Sequence, residues 1–251
     1  MPRYFIEVRY KGTSFRGFQS QDNAITIQGE IEKALRTYYR EDIVTTTSSR
    51  TDAGVHALQN FLHADFSQPI QAHQIYHLNA ILHQDIEIRK FYQVADSYHS
   101  RFDAGSRQYA YNLSRDKNPF FRETRYFFPF SLNIDTLKEC ASILQETSDF
   151  TSFAKRHSDV KHFHCEIKQA YWSESDDMGL TFHVEANRFL RGMVRALVAT
   201  QLQVGRGKKS IADFISIIAA KDCTRADFSA PAHGLFLEKV NYPHPILSNP
   251  L

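Results

Sequence analysis

The apolar period of the first 94 residues switches repeatedly between strand-like and helical, and the order of the switches limits the fold more than any other feature. Arg3–Tyr10 alternates, with Tyr4, Ile6, Val8 and Tyr10 on one face, which predicts a half-buried strand. Thr26 can cap a helix in which Ile27, Ile31, Ala34, Leu35 and Tyr38 form one stripe. Ile43–Thr47 is β-branched and Leu58–Phe66 is apolar, so both are expected as strands. Ile70–Leu82 is expected as a helix and Ile86–Val94 as a strand. The predicted order is β, α, β, β, α, β, which suggests a split βαβ unit.

A similar layout is expected beyond it. Arg107–Leu113, Phe163–Trp172, Leu180–Asn187 and Gly234–Val240 read as strands. Ile134–Leu144, Phe189–Leu202 and Ile211–Ala220 read as helices, and 175–179 as a turn. Tyr98–Ser106 is the expected junction, dividing an N-terminal half, 1–103, from a C-terminal half, 104–251. The expected fold class is therefore α+β, with two halves whose sheets can join.

Composition excludes several classes. The 251 residues carry 30 Lys+Arg against 28 Asp+Glu and are 42% apolar, which rules out a disordered or fibrous chain. No run of about 18 apolar residues predicts a membrane span. The N-terminus lacks the apolar segment of a signal peptide. Cys140, Cys165 and Cys223 are too few and too scattered for a disulfide framework. The expectation is a reduced, cytoplasmic protein with no membrane association.

Four polar clusters could carry chemistry. Ser48–Ala57 places Asp52 beside Arg50, ahead of Ala53-Gly54. Asp52 is either the maker of an Asx-turn or a functional carboxylate. In Tyr10–Gln21, Lys11, Arg16 and the glycines suit phosphate contact, although the GK[ST] of a P-loop is missing; a solvated loop with Phe15 and Phe18 turned inward fits equally. In Arg101–Tyr111, Tyr109 and Tyr111 share a strand face, as core or as a stacking surface. In Asn187–Arg195, Arg188, Arg191 and Arg195 recur at i, i+3 and i+7, which aligns them on one helix face. That face is either solvated or a phosphate groove. His162, His164 and Cys165 lack a fourth ligand at zinc-like spacing, so no metal site is expected.

Five segments in order resemble the TruA family of tRNA pseudouridine synthases. They are Tyr10–Gln19, Arg50–Ala57, Arg107–Tyr111, Phe189–Arg195 and Ala230–Leu237. Arg50-Thr51-Asp52-Ala53-Gly54-Val55-His56-Ala57 is the most specific. Three departures stand out: Phe18 where the family usually has Trp, Ser49 where Gly is common, and Ala199-Thr200 where a Gly is usual. The resemblance implies two ferredoxin-like halves sharing a central, mainly antiparallel sheet with helices on one face. It implies a homodimer, no metal or organic cofactor, and tRNA as partner, with uridines 38 to 40 of the anticodon stem-loop as targets. By resemblance Asp52 is the catalytic carboxylate. Tyr109 stacks on the flipped base and can take part in proton transfer, and Leu235 packs against that base. Arg50 holds the nucleotide's backbone, and Arg195 is the candidate partner that keeps Asp52 ionised. Lys11, Arg16, Arg188 and Arg191 are expected at phosphates. A non-catalytic RNA-binding module of the same fold is the alternative, and a small-molecule hydrolase using Asp52 and His56 a third reading.

Overall fold

The computed structural model describes residues 1–156, 160–175, 179–248 and 250–251. The middle of the turn expected at 175–179 lies outside the described residues. The chain is an α+β protein with nine strands and five α-helices among the described residues, divided into two compact units. One comprises Met1–Ser106 with Leu237–Leu251, the other Arg107–Phe236.

The first unit realises the expected order. It runs β1 (Arg3–Tyr10), α1 (Ile27–Tyr39), β2 (Thr46–Thr47), β3 (His56–Asp65), α2 (Gln74–Ile81) and β4 (Ile86–Val94). β1 lies between β3 and β4, antiparallel to both, and β2 pairs β3 antiparallel. That is the strand order of a split βαβ unit. Thr26 caps α1, its hydroxyl accepting from Gly29 N–H at 3.2 Å, and Ile27, Ile31, Ala34 and Leu35 are buried.

β1 departs from the expected half-burial: Phe5 and Glu7 on its second face are buried as well. The chain's C-terminal segment explains this. Tyr242 packs its ring 5.2 Å from both Phe5 and Phe61, and Leu251 N–H donates to Phe91 carbonyl at 2.8 Å. Glu7, a carboxyl buried there, accepts from Tyr92 hydroxyl at 2.9 Å and Gln59 at 3.2 Å, with Arg89 at 3.5 Å. Such partners are what make a buried carboxylate tolerable.

The second unit contains β5 (Ser106–Ser114), β6 (Tyr126–Phe127), α3 (Ile134–Glu146), β7 (Ile167–Glu174), β8 (Gly179–Ala186), α4 (Met193–Gly205) and α5 (Ile211–Ala220). β8 pairs antiparallel with β5 and β7, while β6 runs parallel to β5. The last strand, β9 (Leu235–Asn241), spans the boundary and lies beside β3 in the first unit. Asn133 caps α3 and Ser210 caps α5 in a reciprocal box with Asp213.

β2 begins at Thr46, not Ile43, and α2 at Gln74, not Ile70; two further boundaries shift for clear reasons. β7 begins at Ile167, not Phe163, because 163–165 bond to 148–150 instead: Phe150 N–H donates to Phe163 carbonyl at 3.1 Å and Cys165 N–H to Ser148 carbonyl at 3.0 Å. α4 begins at Met193, not Phe189, because Gly192 adopts φ +73°, outside the helical region. The expected single helix face carrying Arg188, Arg191 and Arg195 therefore does not exist; only Arg195 is on the helix.

Candidate active site

Asp52 sits in the loop 48–55 between β2 and β3, and backbone bonds fix that loop along its length. Ser48 N–H donates to Phe61 carbonyl at 2.7 Å. Asn60, fully buried on β3, donates to Ser49 carbonyl at 2.9 Å and to Tyr10 hydroxyl at 3.2 Å. Tyr10 hydroxyl in turn lies 2.8 Å from Thr51 Oγ1. Val55 N–H closes the turn on Asp52 carbonyl at 3.1 Å, with Gly54 at φ +78°. Asp52 is half-buried and Arg50 exposed.

The loop after β1 locks onto this turn. Phe18 N–H donates to Thr51 carbonyl at 3.0 Å, and Gly12 N–H to His56 Nδ1 at 3.0 Å. His56 is buried and uses Nδ1 as an acceptor, so this nitrogen serves the scaffold and not catalysis. Gly17, at φ +106°, passes 3.2 Å from Thr51 carbonyl if given a Cβ. Lys11 and Arg16 flank these contacts and are exposed.

The second unit carries Tyr109, Arg188, Arg191, Arg195 and Leu235. Tyr109 and Tyr111 lie opposite Val184 and Phe182, on one face as the alternation predicts. Tyr111 is buried and donates to Pro231 carbonyl at 2.7 Å. Burial pushes its phenol above the usual range. Tyr109 is half-buried, its ring edge-on to Phe189 at 5.0 Å. Arg195, in the first turn of α4, donates through Nε to Ala230 carbonyl at 2.6 Å. Two more residues of that helix hold the same loop: Thr200 Oγ1 accepts from Asp227 N–H at 3.0 Å, and Gln203 donates to Asp227 carboxylate at 2.8 Å. Burial alone pushes Asp227 up, but bonds from Ser229 and Gln203 more than offset it, and its pKa lies below the ordinary value. Gly234 admits Leu235 to its buried position, since a Cβ there comes 2.9 Å from the Tyr111 ring. Arg188 is half-buried, with NH1 3.0 Å from His162 Nε2, and Arg191 is exposed. Among the described residues no group of three or more His, Cys, Asp or Glu is placed to hold a metal. Among the described residues no helix is long and apolar enough to cross a membrane.

A family model described as tRNA pseudouridine synthase matches residues 141–243. A protein of Parabacteroides distasonis named tRNA pseudouridine synthase A is 43% identical over 245 residues, 97% of this chain and 97% of its own. The like-named protein of Bacteroides fragilis is 44% identical over 246 residues, 97% and 98% of the two chains. The chain belongs to the tRNA pseudouridine synthase A family. The like-named protein of Bacillus licheniformis is 40% identical over 94% of this chain and 97% of its own. A partial Cas6-RT-Cas1–Cas2 complex aligns with 73% of this chain and 40% of its own at 11% identity, but its TM-score of 0.23 carries no argument. Membership in this synthase family makes the chain an isomerase that acts on tRNA.

The three departures from the synthase pattern now have surroundings. Phe18 is fully buried, 5.7 Å from the Tyr10 ring, and fills core space. Ser49 is buried with its hydroxyl unpaired. Thr200 supplies the bond to Asp227 described above. Sequence reasoning missed Asn60, Thr200 and Gln203 as supports. For Asn60 a signal existed: an amide in the apolar register of a strand needs a buried partner.

Proposed function

We propose that this chain converts uridine to pseudouridine at positions 38 to 40 of the tRNA anticodon stem-loop, with Asp52 as the catalytic carboxylate. The reaction breaks the N1–C1′ bond and forms a C5–C1′ bond. C5 gives up its proton and N1 gains one, so electrons balance without a redox partner. A stacked base must first be extruded, at a cost of a few kcal/mol supplied by phosphate contacts and pocket stacking. Asp52 acts on the sugar or the base, Tyr109 stacks on the flipped base, and Leu235 packs against it. Arg50 holds the nucleotide's backbone. Arg195 keeps the carboxylate ionised, and Lys11, Arg16, Arg188 and Arg191 meet phosphates. The working assembly is a homodimer in which two subunits share one tRNA.

The observation that carries this reading is the clamp on the Asp52 turn. Backbone bonds from Phe18 to Thr51 and from Val55 to Asp52 fix the turn that bears the carboxylate. A module that only binds RNA gains nothing from a carboxylate held rigidly among phosphate-binding loops, which would repel the ligand. The test is tritium release from 5-tritiated uridine in transcribed tRNA. Stoichiometric release by the wild-type chain, lost in Asp52→Ala with tRNA affinity retained, supports the reading. Binding without release returns the chain to the RNA-binding alternative.

A further inference from the structure

Arg101 and Phe102 take no part in the isomerisation as proposed, yet the chain presents them with care. Phe102 is 75% exposed. The turn beneath it is rigidly tied. Ser100, completely buried, accepts at its carbonyl from Tyr242 hydroxyl, and its N–H donates to His63 Nδ1 at 3.2 Å. Its hydroxyl donates to Thr46 carbonyl at 2.8 Å. Asp103 closes the turn, its N–H donating to His99 carbonyl at 3.1 Å and its carboxylate accepting from His99 N–H at 2.6 Å. The His99 ring lies 4.2 Å from the Phe102 ring at 33°, and the Arg101 guanidinium 5.9 Å from the ring centroid. A large ring held in water on an immobile support loses hydrophobic stabilisation that inward burial would have given.

We propose that Phe102 is a stacking residue for an unpaired base of the tRNA substrate, with Arg101 at the adjoining phosphate. The proposal rests on the isomerase reading and deepens it. Three observations favour a base over a protein partner. One ring matches one base in area, whereas a stable protein interface needs many such contacts. The neighbouring guanidinium complements a phosphate backbone. Thr46, which holds Ser100, begins the strand leading directly into the loop of Asp52, so the ring and the catalytic carboxylate rest on the same piece of backbone.

The test uses the full chain. Phe102→Trp places an indole at the position, read against the constant background of buried Trp172. Saturable quenching by an anticodon stem-loop RNA, but not by a blunt duplex without unpaired bases, is the expected result. Phe102→Ala should raise KM for tRNA by about tenfold or more, with kcat within about twofold and an unchanged melting temperature. An active wild-type enzyme whose Phe102 variants show no quenching and an unchanged KM overturns the stacking proposal alone. Phe102→Ala that halves the sedimenting mass also overturns it, because the ring then faces a second copy of the chain. A wild-type chain that releases no tritium, while Phe102→Trp is still quenched, defeats the isomerase reading and leaves the stacking contact standing.

Discussion

Gly12 lies so close against Val55 that a Cβ at residue 12 falls within 2.6 Å of the Val55 carbonyl carbon. Both sides of this contact are backbone, and the Gly12 N–H is committed to His56 Nδ1. Neither can yield without dragging the loop after β1 off the Asp52 turn. Gly12→Ala should therefore cost about 2–3 kcal/mol or more and lower kcat beyond what the stability loss explains. Thermal melts with single-turnover assays below the melting transition separate the two effects. An Ala variant with wild-type melting and rate shows that the turn tolerates displacement.

Thr200 gives a second test. Its hydroxyl accepts from the Asp227 N–H, and it is completely buried. Thr200→Val keeps the shape and leaves that N–H without its partner, a loss of about 1–3 kcal/mol and a few degrees in Tm. The loop also contains Ala230, whose carbonyl positions Arg195, so kcat should fall together with Tm. A lower Tm with unchanged kcat would mean the Thr200 bond serves folding only.

The first unit's element order was legible because each segment's apolar period agrees with its place, as in β4 and in the Thr26-capped α1. The burial of Phe5 and Glu7 was not. Alternation in β1 shows one apolar face, and what covers the other is Tyr242, more than 230 residues away. The start of α4 was hidden for a local reason. Spacing alone aligned Arg188, Arg191 and Arg195, but Gly192 at positive φ outweighs spacing, because glycine enters that region at little cost. At the site, the Asp52 motif stood out through its residue types. Asn60, which supports that motif, did not, nor did Thr200 and Gln203, which hold the Asp227 loop of the second unit; each acts through partners that only the fold brings near.

Acid should weaken the first unit in two steps. Burial, reinforced by the nearby His99 and Arg3, pushes His63 down to about 4. The unfolded His binds a proton near 6.5 while the folded one stays neutral, so the unfolded state takes up more protons between these values. Stability is therefore full above about 6.5 and falls as pH drops toward 4, by up to about 3 kcal/mol. Asp65, lowered chiefly by its bond to Arg3, shifts in the same direction. Its contribution is present above the ordinary carboxylate range and is lost only as pH falls through it. His63→Asn keeps an acceptor for Ser100 N–H but cannot titrate. Its denaturant midpoint should slope less steeply between pH 6.5 and 4.5 than that of the wild type, the remainder coming from His99, which burial also lowers; equal slopes would place the titrating group elsewhere.

Arg195 provides the sharpest mechanistic test. Its Nε is committed to the Ala230 carbonyl, which orients the guanidinium and leaves NH1 and NH2 as a two-donor edge. If that charge keeps Asp52 ionised, Arg195→Met should lose most activity, by about two orders of magnitude or more for several kcal/mol. Arg195→Lys should recover only part of the rate, because an ammonium keeps the charge but not the planar fork. An Arg195→Met enzyme whose KM for tRNA rises while its kcat holds assigns Arg195 to a phosphate. Kinetics identical to the wild type leave it to the Ala230 loop, and Arg50 or Arg191 then becomes the residue to substitute.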